Sequence, residues 1–330
     1  MMDVEPVFVM PEMDEEHQIP LGVSAAAVED ALAVNPDAQG ILLTRPGYYG
    51  TAAALDGIAG IARQYKVPLM TDEAHGAHFI FHDLFPKPAL ALGTDLCVQS
   101  LHKTLPALTQ TALLHGSRNS LIERRFVERA ASMVQTSSPS YILMASADMA
   151  RELMEDRGRL LYEKLWENIR EFESELADST VIERLKFDRP GVEYDFSRIV
   201  LDFRNTCLNG FQAGEILRKR YGIVVEMADF RHLVLIATPF HTHKDFSRLL
   251  AALREISGEF KGNGKKETVP YPHKLPEKGL SIRNALFSPI RRVPVSQASG
   301  AVSAASVIPY PPGIPLINPG EIISGEAVEY

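Results

Sequence analysis

Short apolar segments alternate with longer segments of helical spacing in the first part of the chain. The apolar segments at residues 40–44 and 67–70 each follow a segment, at 24–32 and 51–65, in which apolar residues recur every three or four positions. Continuous apolar segments of this length are typical of buried strands, and their alternation with helices is typical of a parallel, doubly wound sheet. We therefore predict an α/β fold with strands at these positions and a further strand at residues 6–10.

Two further strands are predicted to extend this sheet. Leu96-Cys97-Val98 is a third buried apolar segment, and residues 111–116 form a fourth. The segment between the second and third strands, residues 79–92, is rich in Phe and Pro and is expected to form an irregular loop at a pocket wall. A helix is predicted at residues 119–134.

The second part of the chain predicts a long helix followed by an α+β unit. Helical spacing continues from Tyr141 to about Leu176, with a break expected near residues 156–158. The pattern that follows predicts strands and helices in alternation: strands at 181–185, 198–203, 223–226 and 233–236, and helices at 210–221 and 244–257.

The last part of the chain begins with a charged glycine segment at residues 262–266, which predicts a linker. Residues 307–321 combine many prolines with Ile308, Tyr310, Ile314, Leu316 and Ile317. Because these apolar side chains favour burial, we predict a rigid strap packed over the domain rather than a disordered tail.

Composition narrows the class of protein. The net charge of −8 argues against a nucleic-acid partner. No apolar segment approaches the ~18 residues of a membrane span, and the amino terminus lacks a signal-peptide pattern. The two cysteines, Cys97 and Cys207, lie in separate segments and do not suggest a disulfide framework. We therefore expect no membrane association and a cytoplasmic location.

Candidate chemistry lies at the carboxyl ends of two of the predicted strands. Asp72 follows the strand at 67–70, and Lys103 follows the strand at 96–98. In open α/β sheets ligands bind at this edge, so the carboxylate and the amine are expected to face one crevice.

A lysine paired with an aspartate in this way is the arrangement that pyridoxal phosphate chemistry requires. The lysine binds the cofactor aldehyde as a Schiff base, and the aspartate keeps the pyridine nitrogen protonated. Ser100 and His102 flank Lys103 and are candidates to bind the cofactor phosphate. The alternative is that Asp72 caps a strand and Lys103 is a solvated surface lysine, but the combination of residues favours the cofactor site.

Four motifs occur in a fixed order along the chain. They are Asp-Glu-Ala-His-Gly-Ala-His at 72–78, Ser-Leu-His-Lys-Thr at 100–104, Thr-Ser-Ser-Pro-Ser-Tyr at 136–141, and a proline-rich segment at 309–321. In sequence and order they resemble the ornithine/lysine/arginine decarboxylases. The short architecture, with no added amino-terminal regulatory domain expected, resembles the biosynthetic arginine and lysine enzymes of that family.

The resemblance implies a fold-type I pyridoxal phosphate enzyme, similar to aspartate aminotransferase. Residues 1–140 would then form part of the cofactor-binding large domain, with a mostly parallel sheet and an antiparallel return strand at 111–116. Residues 141–262 would form the linking helix and a small α+β domain. Residues 263–330 would form the carboxyl-terminal decarboxylase segment with its strap.

The resemblance also assigns roles near the cofactor. It implies that Lys103, Asp72 and His75 are catalytic, and that pyridoxal 5'-phosphate is contacted by these three residues together with Ala74, Ser100 and His102. His75 is expected to contact the cofactor ring and the substrate. Either His75 or Lys103 would return a proton to the α-carbon.

Two more distant positions complete the site that the resemblance implies. Thr136 and Ser137 would reach the cofactor phosphate of a neighbouring subunit, so a homodimer with a shared active site is expected. From the residues alone, this segment also predicts a helix amino-terminal cap. Glu321 is the candidate carboxylate for the distal cation of the substrate.

The implied function is decarboxylation of arginine, lysine or ornithine to a polyamine-pathway amine, with arginine favoured. Two alternatives stay open. An aminotransferase would need an arginine for the α-carboxylate, for which Arg283, Arg291 and Arg292 are available. A non-catalytic subunit would keep the fold without turnover.

One feature of the resembled family has no counterpart in the sequence. Those enzymes carry a long further segment ahead of the position that corresponds to Pro6, with a glycine and hydroxyl phosphate loop and a residue that stacks on the cofactor ring. No such loop precedes Pro6 here. We therefore expect the chain to lack the first part of the large domain.

Overall fold

The computed structural model describes residues 4–187, 189–262, 275–309 and 313–329. The strands of these residues are β1 (Glu12–Asp14), β2 (Ile19–Gly22), β3 (Ile41–Thr44), β4 (Thr51–Ala53), β5 (Leu69–Asp72), β6 (Leu96–Ser100), β7 (Ala112–Gly116), β8 (Glu183–Arg184), β9 (Val192–Tyr194), β10 (Arg198–Asp202), β11 (Met227–Ala228) and β12 (His232–Ile236). The helices are α1 (Ala25–Val34), α2 (Leu55–Tyr65), α3 (Leu101–Thr104), α4 (Arg124–Val134), α5 (Tyr141–Ser179), α6 (Gly210–Tyr221), α7 (His243–Glu259), α8 (Ile282–Phe287) and α9 (Gly325–Glu329).

The sheet that carries the candidate chemistry has the strand order β3-β5-β6-β7. β3, β5 and β6 are parallel, and β7 returns antiparallel to β6. Asp72 pairs with Thr44 on one side and with Val98 on the other, and Val98 pairs with Leu114. The predicted α/β fold, its mostly parallel sheet and the antiparallel return strand are confirmed.

One face of this sheet is covered by helices, and the other is open. On the covered face Leu69 and Cys97 pack against α1 and α2 in a core that includes Leu32 and Ile58. Leu42, Val98 and Leu114 lie on the opposite face and are 70%, 37% and 54% exposed. The strand predicted at residues 40–44 is present as β3, but the prediction that it is buried was wrong, because only one of its sides packs. Asp72 lies on the open face, since it is the cross-strand neighbour of Val98.

The second sheet is antiparallel, with the order β11-β12-β10-β8. One of its faces packs with α5, α6 and α7 in a core that also includes Phe79 and Phe85 from the loop after Asp72. The strand predicted at 223–226 was wrong. Gly222, at φ +61°, ends α6, and the amide of Ile223 still donates to the Leu217 carbonyl, so pairing with β12 begins only at Met227.

Three local predictions failed for identifiable reasons. Residues 6–10 form no strand, and pairing starts at β1, which forms a hairpin with β2. The helix predicted from Thr51 begins at Leu55, because residues 51–53 pair with β9 as a strand. The break expected near 156–158 does not occur, and α5 runs through 39 residues, or about 58 Å at the rise of an α-helix.

The carboxyl-terminal segment folds back on itself rather than forming an extended strap. Val307 pairs with Ile317 and Val302 pairs with Ile322 in antiparallel bridges. Of the apolar residues expected to be buried, Ile317 is 2% exposed, whereas Ile308 and Ile314 are 49% and 42% exposed. Tyr310 and the linker residues 263–266 lie outside the described residues.

Two glycines of α6 provide a matched test of packing. A Cβ at Gly210 would lie 2.3 Å from the His232 carbonyl oxygen and 2.4 Å from that of Asp229, whereas a Cβ at Gly214 would lie 3.4 Å or more from its neighbours. We expect Gly210→Ala to lower the free energy of unfolding by about 2–3 kcal/mol. Gly214→Ala should raise it by about 0.5–1 kcal/mol, because alanine favours helix. Urea unfolding of both variants measures the difference, and equal effects would contradict the close packing at Gly210.

Candidate active site

Two neighbouring strand ends bring the predicted catalytic residues to one edge of the sheet. Asp72 is the last residue of β5 and Ser100 is the last residue of β6. The chain then turns directly into α3, which carries His102 and Lys103. Because β5 and β6 are parallel neighbours, these four residues meet at the carboxyl edge of the sheet.

Asp72 is half-buried, and in the described chain no cationic side chain is paired with its carboxylate. Its Oδ1 accepts a hydrogen bond of 3.0 Å from the amide of Ala74. Within the described residues, no lysine, arginine or histidine forms an ion pair with its carboxylate. A carboxylate of this kind at a strand end is suited to a cationic partner that comes from outside the chain.

His75 and Lys103 are in direct contact. The Nε2 of His75 lies 3.2 Å from the Nζ of Lys103. His75 is 6% exposed, whereas Lys103 is exposed and extends from the short helix α3. The Tyr48 ring, from the loop after β3, packs with its centroid 4.8 Å from that of His75. The loop after Asp72 thus contacts Lys103 through His75.

The electrostatic setting keeps His75 uncharged near neutral pH. Burial lowers its pKa most, and the charges of Arg198 and Lys103 lower it further, to about 3, against a smaller opposing effect of Asp195. The Nη2 of Arg198 lies 3.0 Å from the Nδ1 of His75. His75 therefore lies between Arg198 and Lys103, with one of these side chains at each ring nitrogen.

Arg198 belongs to a buried cluster that sequence reasoning missed. Its side chain is 0% exposed, and its Nε lies 3.4 Å from Asp195 Oδ2. That oxygen is also 3.1 Å from His78 Nε2, and Ser197 Oγ donates to Asp195 Oδ1 at 2.6 Å. Burial alone would raise the pKa of Asp195, but His78, Arg198 and Ser197 together lower it to about 2. The available signal was an arginine opening a fully buried strand, Arg198-Ile-Val-Leu-Asp.

Glu73, the second acid of the motif, has a structural role. It is 0% exposed and accepts hydrogen bonds from the amide of Ala89 at 2.9 Å and from Gln99 Nε2 at 2.7 Å. Arg45 Nη1 lies 3.3 Å away. Burial nevertheless raises the pKa of Glu73. The contacts fix the loop between the two strand ends.

Ser100 and His102 have the donors that a phosphate needs. In the described part of the chain the Ser100 hydroxyl has no hydrogen-bond partner, and the residue is half-buried. His102 Nδ1 lies 2.9 Å from the carbonyl oxygen of Thr111 and donates to it, so Nε2 is left for another contact.

The remaining predicted residues lie apart from this group. Thr136 and Ser137 are exposed, and Thr136 Oγ1 accepts from the amide of Ser138. The predicted helix cap is confirmed at Ser140, whose hydroxyl accepts from Leu143 at the start of α5. Glu321 accepts a 2.6 Å hydrogen bond from the amide of Asn318.

No hydrogen bond or ion pair of the described residues joins these distant positions to Asp72 or Lys103. This holds for Thr136, Ser137 and Glu321. It also holds for the arginines considered for an aminotransferase, Arg283, Arg291 and Arg292, which are exposed.

Comparison with known protein families identifies the class of the chain. Residues 1–195 match the model of the Orn/Lys/Arg decarboxylase major domain, and residues 269–330 match that of the Orn/Lys/Arg decarboxylase carboxyl-terminal domain. The chain belongs to the Orn/Lys/Arg decarboxylase family. The resemblance drawn from the four motifs is thereby confirmed.

Curated members of the Orn/Lys/Arg decarboxylase family align with almost all of the chain. It is 35% identical to an arginine decarboxylase of Bacillus anthracis over 338 residues, which cover 99% of this chain and 67% of the relative. An arginine decarboxylase of Bacillus subtilis is 33% identical, with 98% and 67% covered. A lysine decarboxylase of Pseudomonas aeruginosa is 23% identical, with 96% and 56% covered.

Solved structures agree on the fold of this decarboxylase-family chain. The lysine decarboxylase of Francisella novicida matches with a TM-score of 0.79 at 20% identity, covering 99% of this chain and 58% of that one. The constitutive lysine decarboxylase of E. coli gives 0.79 at 19% identity, with 98% and 58% covered. The chain thus spans about two thirds of the length of the curated arginine decarboxylases and less than two thirds of the solved lysine decarboxylases.

Along the chain described by the structure, no helix combines the length and the apolarity needed to cross a membrane.

Proposed function

We propose that this chain decarboxylates a basic amino acid with pyridoxal 5'-phosphate as its cofactor, and that arginine is the preferred substrate. The observation that carries the proposal is the meeting of Asp72, His75 and Lys103 at the ends of two parallel strands, with Lys103 3.2 Å from His75. The family of the chain supports the same chemistry.

The residues of the site fit this cofactor. Lys103 presents an exposed primary amine for the aldehyde, and Asp72 presents a carboxylate without a cationic partner in the described chain for the pyridine nitrogen. The Ser100 hydroxyl and the Nε2 of His102 are available for the phosphate. Aldehyde, ring nitrogen and phosphate would each have a chemically matched residue.

The protein residues divide the work of the reaction. The bond between the α-carbon and the carboxyl carbon breaks, carbon dioxide leaves, and one proton takes its place on the α-carbon. When bound, pyridoxal phosphate supplies the electron sink that accepts the electron pair of the broken bond. Asp72 would hold the proton on the ring nitrogen, which keeps that sink strong.

Proton delivery to the α-carbon favours Lys103 over His75. The environment of His75 lowers its pKa to about 3, so near neutral pH the ring is uncharged and is a poor proton donor. The Lys103 amine is exposed on the open side of the site and is free to change its position by side-chain rotation. We propose Lys103 as the proton donor and His75 as the residue that orients it.

The choice of substrate rests on the relatives. The arginine decarboxylases are 33–35% identical to this chain, against 23% for the lysine decarboxylase. We propose Glu321 as the carboxylate that binds the distal cation. Its carboxylate accepts only from Asn318 within the described residues, so it has capacity for a guanidinium.

We also propose a homodimer in which Thr136 and Ser137 bind the cofactor phosphate of the neighbouring subunit. Both residues are exposed, and the large apolar side chains around them are exposed as well: Met133 at 70%, Val134 at 86% and Tyr141 at 78%. An exposed apolar patch of this kind is typical of a protein interface.

The free cysteines support a cytoplasmic location.

Product analysis tests the proposed reaction. The purified chain is supplied with pyridoxal phosphate and, separately, with arginine, lysine and ornithine. We expect carbon dioxide in equimolar amount with the amine product, fastest with arginine, and no keto acid. A keto acid without carbon dioxide would instead support the aminotransferase, and neither product from a chain that binds the cofactor would support the non-catalytic subunit.

A further inference from the structure

We propose that Arg198 is a positioning residue that fixes the tautomer of His75, with the single ring proton on Nε2, the nitrogen that faces Lys103. The relevance of this contact to catalysis rests on the proposed function. The contact itself is a property of the chain without cofactor.

The first step concerns which nitrogen of His75 carries the proton. Arg198 Nη2 lies 3.0 Å from His75 Nδ1. A guanidinium has only donors, so Nδ1 must accept and therefore carries no proton. Because the pKa of His75 is lowered to about 3 by its burial and by neighbouring cations, the ring is neutral near pH 7. Its single proton is then on Nε2.

The second step concerns what Nε2 faces. The Nζ of Lys103 lies 3.2 Å from it. The proton on Nε2 is therefore directed at the nitrogen that is proposed to bind the cofactor aldehyde.

The third step concerns how Arg198 is held. It begins β10 of the second sheet, and its side chain is 0% exposed. Its amide donates to the Asp195 carbonyl at 3.0 Å, and its Nε lies 3.4 Å from the Asp195 carboxylate. Gly50, at φ +86°, lies against its stem, and a Cβ there would be 2.6 Å from Arg198 Cγ. The guanidinium therefore has little freedom to turn away from His75.

The charged and titratable groups that act on His75 come from three parts of the fold. Arg198 begins β10 and Asp195 lies between β9 and β10. Lys103 comes from α3, and His78 comes from the same loop as His75. Arg198 links the second sheet to the strand ends of the first. A purely structural Arg198 would neutralise Asp195 but would leave the His75 tautomer unchanged when removed.

Nitrogen NMR of the full chain, prepared without cofactor and with 15N-labelled histidine, tests the tautomer directly. His75→Gln assigns the His75 signals by their disappearance. We expect wild-type His75 at pH 7 to show an unprotonated Nδ1 and a protonated Nε2. A protonated Nδ1, in either the neutral or the cationic ring, would overturn the proposal without any Arg198 variant.

Two variants then test the role of Arg198. Arg198→Met, which keeps a long side chain without a donor, should give a mixture of His75 tautomers, and Arg198→Lys should restore the Nε2–H form as the main one. An unchanged tautomer in a folded Arg198→Met chain, or no restoration in a folded Arg198→Lys chain, would refute the assigned role. If Arg198→Met does not fold, the wild-type spectrum and Arg198→Lys still decide.

No cofactor or substrate enters these NMR experiments. Their failure is therefore distinct from failure of the proposed decarboxylation.

Discussion

Replacing Lys103 with alanine is expected to reduce kcat/KM for arginine by on the order of 10⁴-fold or more, as for other residues that form a covalent bond in the reaction. The side chain is exposed, and its hydrogen bond is to His75, so its removal should cost little stability. The same change should abolish the visible absorbance that appears when pyridoxal phosphate binds. Activity assays and absorbance spectra of the purified variant measure both effects.

The control for this variant is Lys164→Ala. Lys164 is an exposed lysine of α5 and is distant in sequence from both strand ends. It should keep wild-type activity and the wild-type absorbance. An Lys103→Ala chain that retained the absorbance band and released carbon dioxide would show that the cofactor is attached elsewhere, and the proposed site would be wrong.

Replacing Asp72 with asparagine is expected to lower kcat by roughly 10²–10³-fold, the range for loss of one preorganised electrostatic group. An amide has no negative charge to hold a proton on the ring nitrogen, but it still accepts the hydrogen bond from Ala74. The fold should therefore be kept, and the cofactor should still react with Lys103. A large loss in kcat together with retained cofactor absorbance would distinguish Asp72→Asn from Lys103→Ala, which should lose both.

Asp37→Asn serves as the matched control, because Asp37 is exposed in a turn after α1. Its effect on kcat should be within experimental error. If Asp72→Asn kept the wild-type kcat, the carboxylate would have no role in charge stabilisation and would be only a strand-end group.

The sheet, and the place of Asp72 and Lys103 at its edge, were predictable because they depend on local sequence. The apolar segments that end at Asp72 and at Ser100 are short and are followed directly by polar residues, and the structure has strands at both. The pairing of these strands follows from the general topology of α/β sheets. The contact between His75 and Lys103 then arises because the loop after β5 and the turn after β6 share one edge.

The features that the sequence did not predict depend on contacts between residues far apart in the chain. Arg198 is 123 residues from His75, and nothing near either residue indicates their contact. Residues 51–53 have helical spacing with the segment that follows, but they pair with 192–194 across the structure. At residues 51–53 the tertiary contact outweighs the local helical preference that the sequence pattern indicates.

The shared core has a thermodynamic consequence. Phe79 and Phe85, from the loop that carries His75, are buried together with Leu176 of α5 and Leu253 of α7. Melting of the second sheet and its helices would expose these phenylalanines, so we expect no separate unfolding transition for the loop that carries His75. Heat inactivation and global denaturation should therefore coincide, and evolution of a more heat-resistant enzyme would have to act on the interior of the whole molecule rather than on that loop alone.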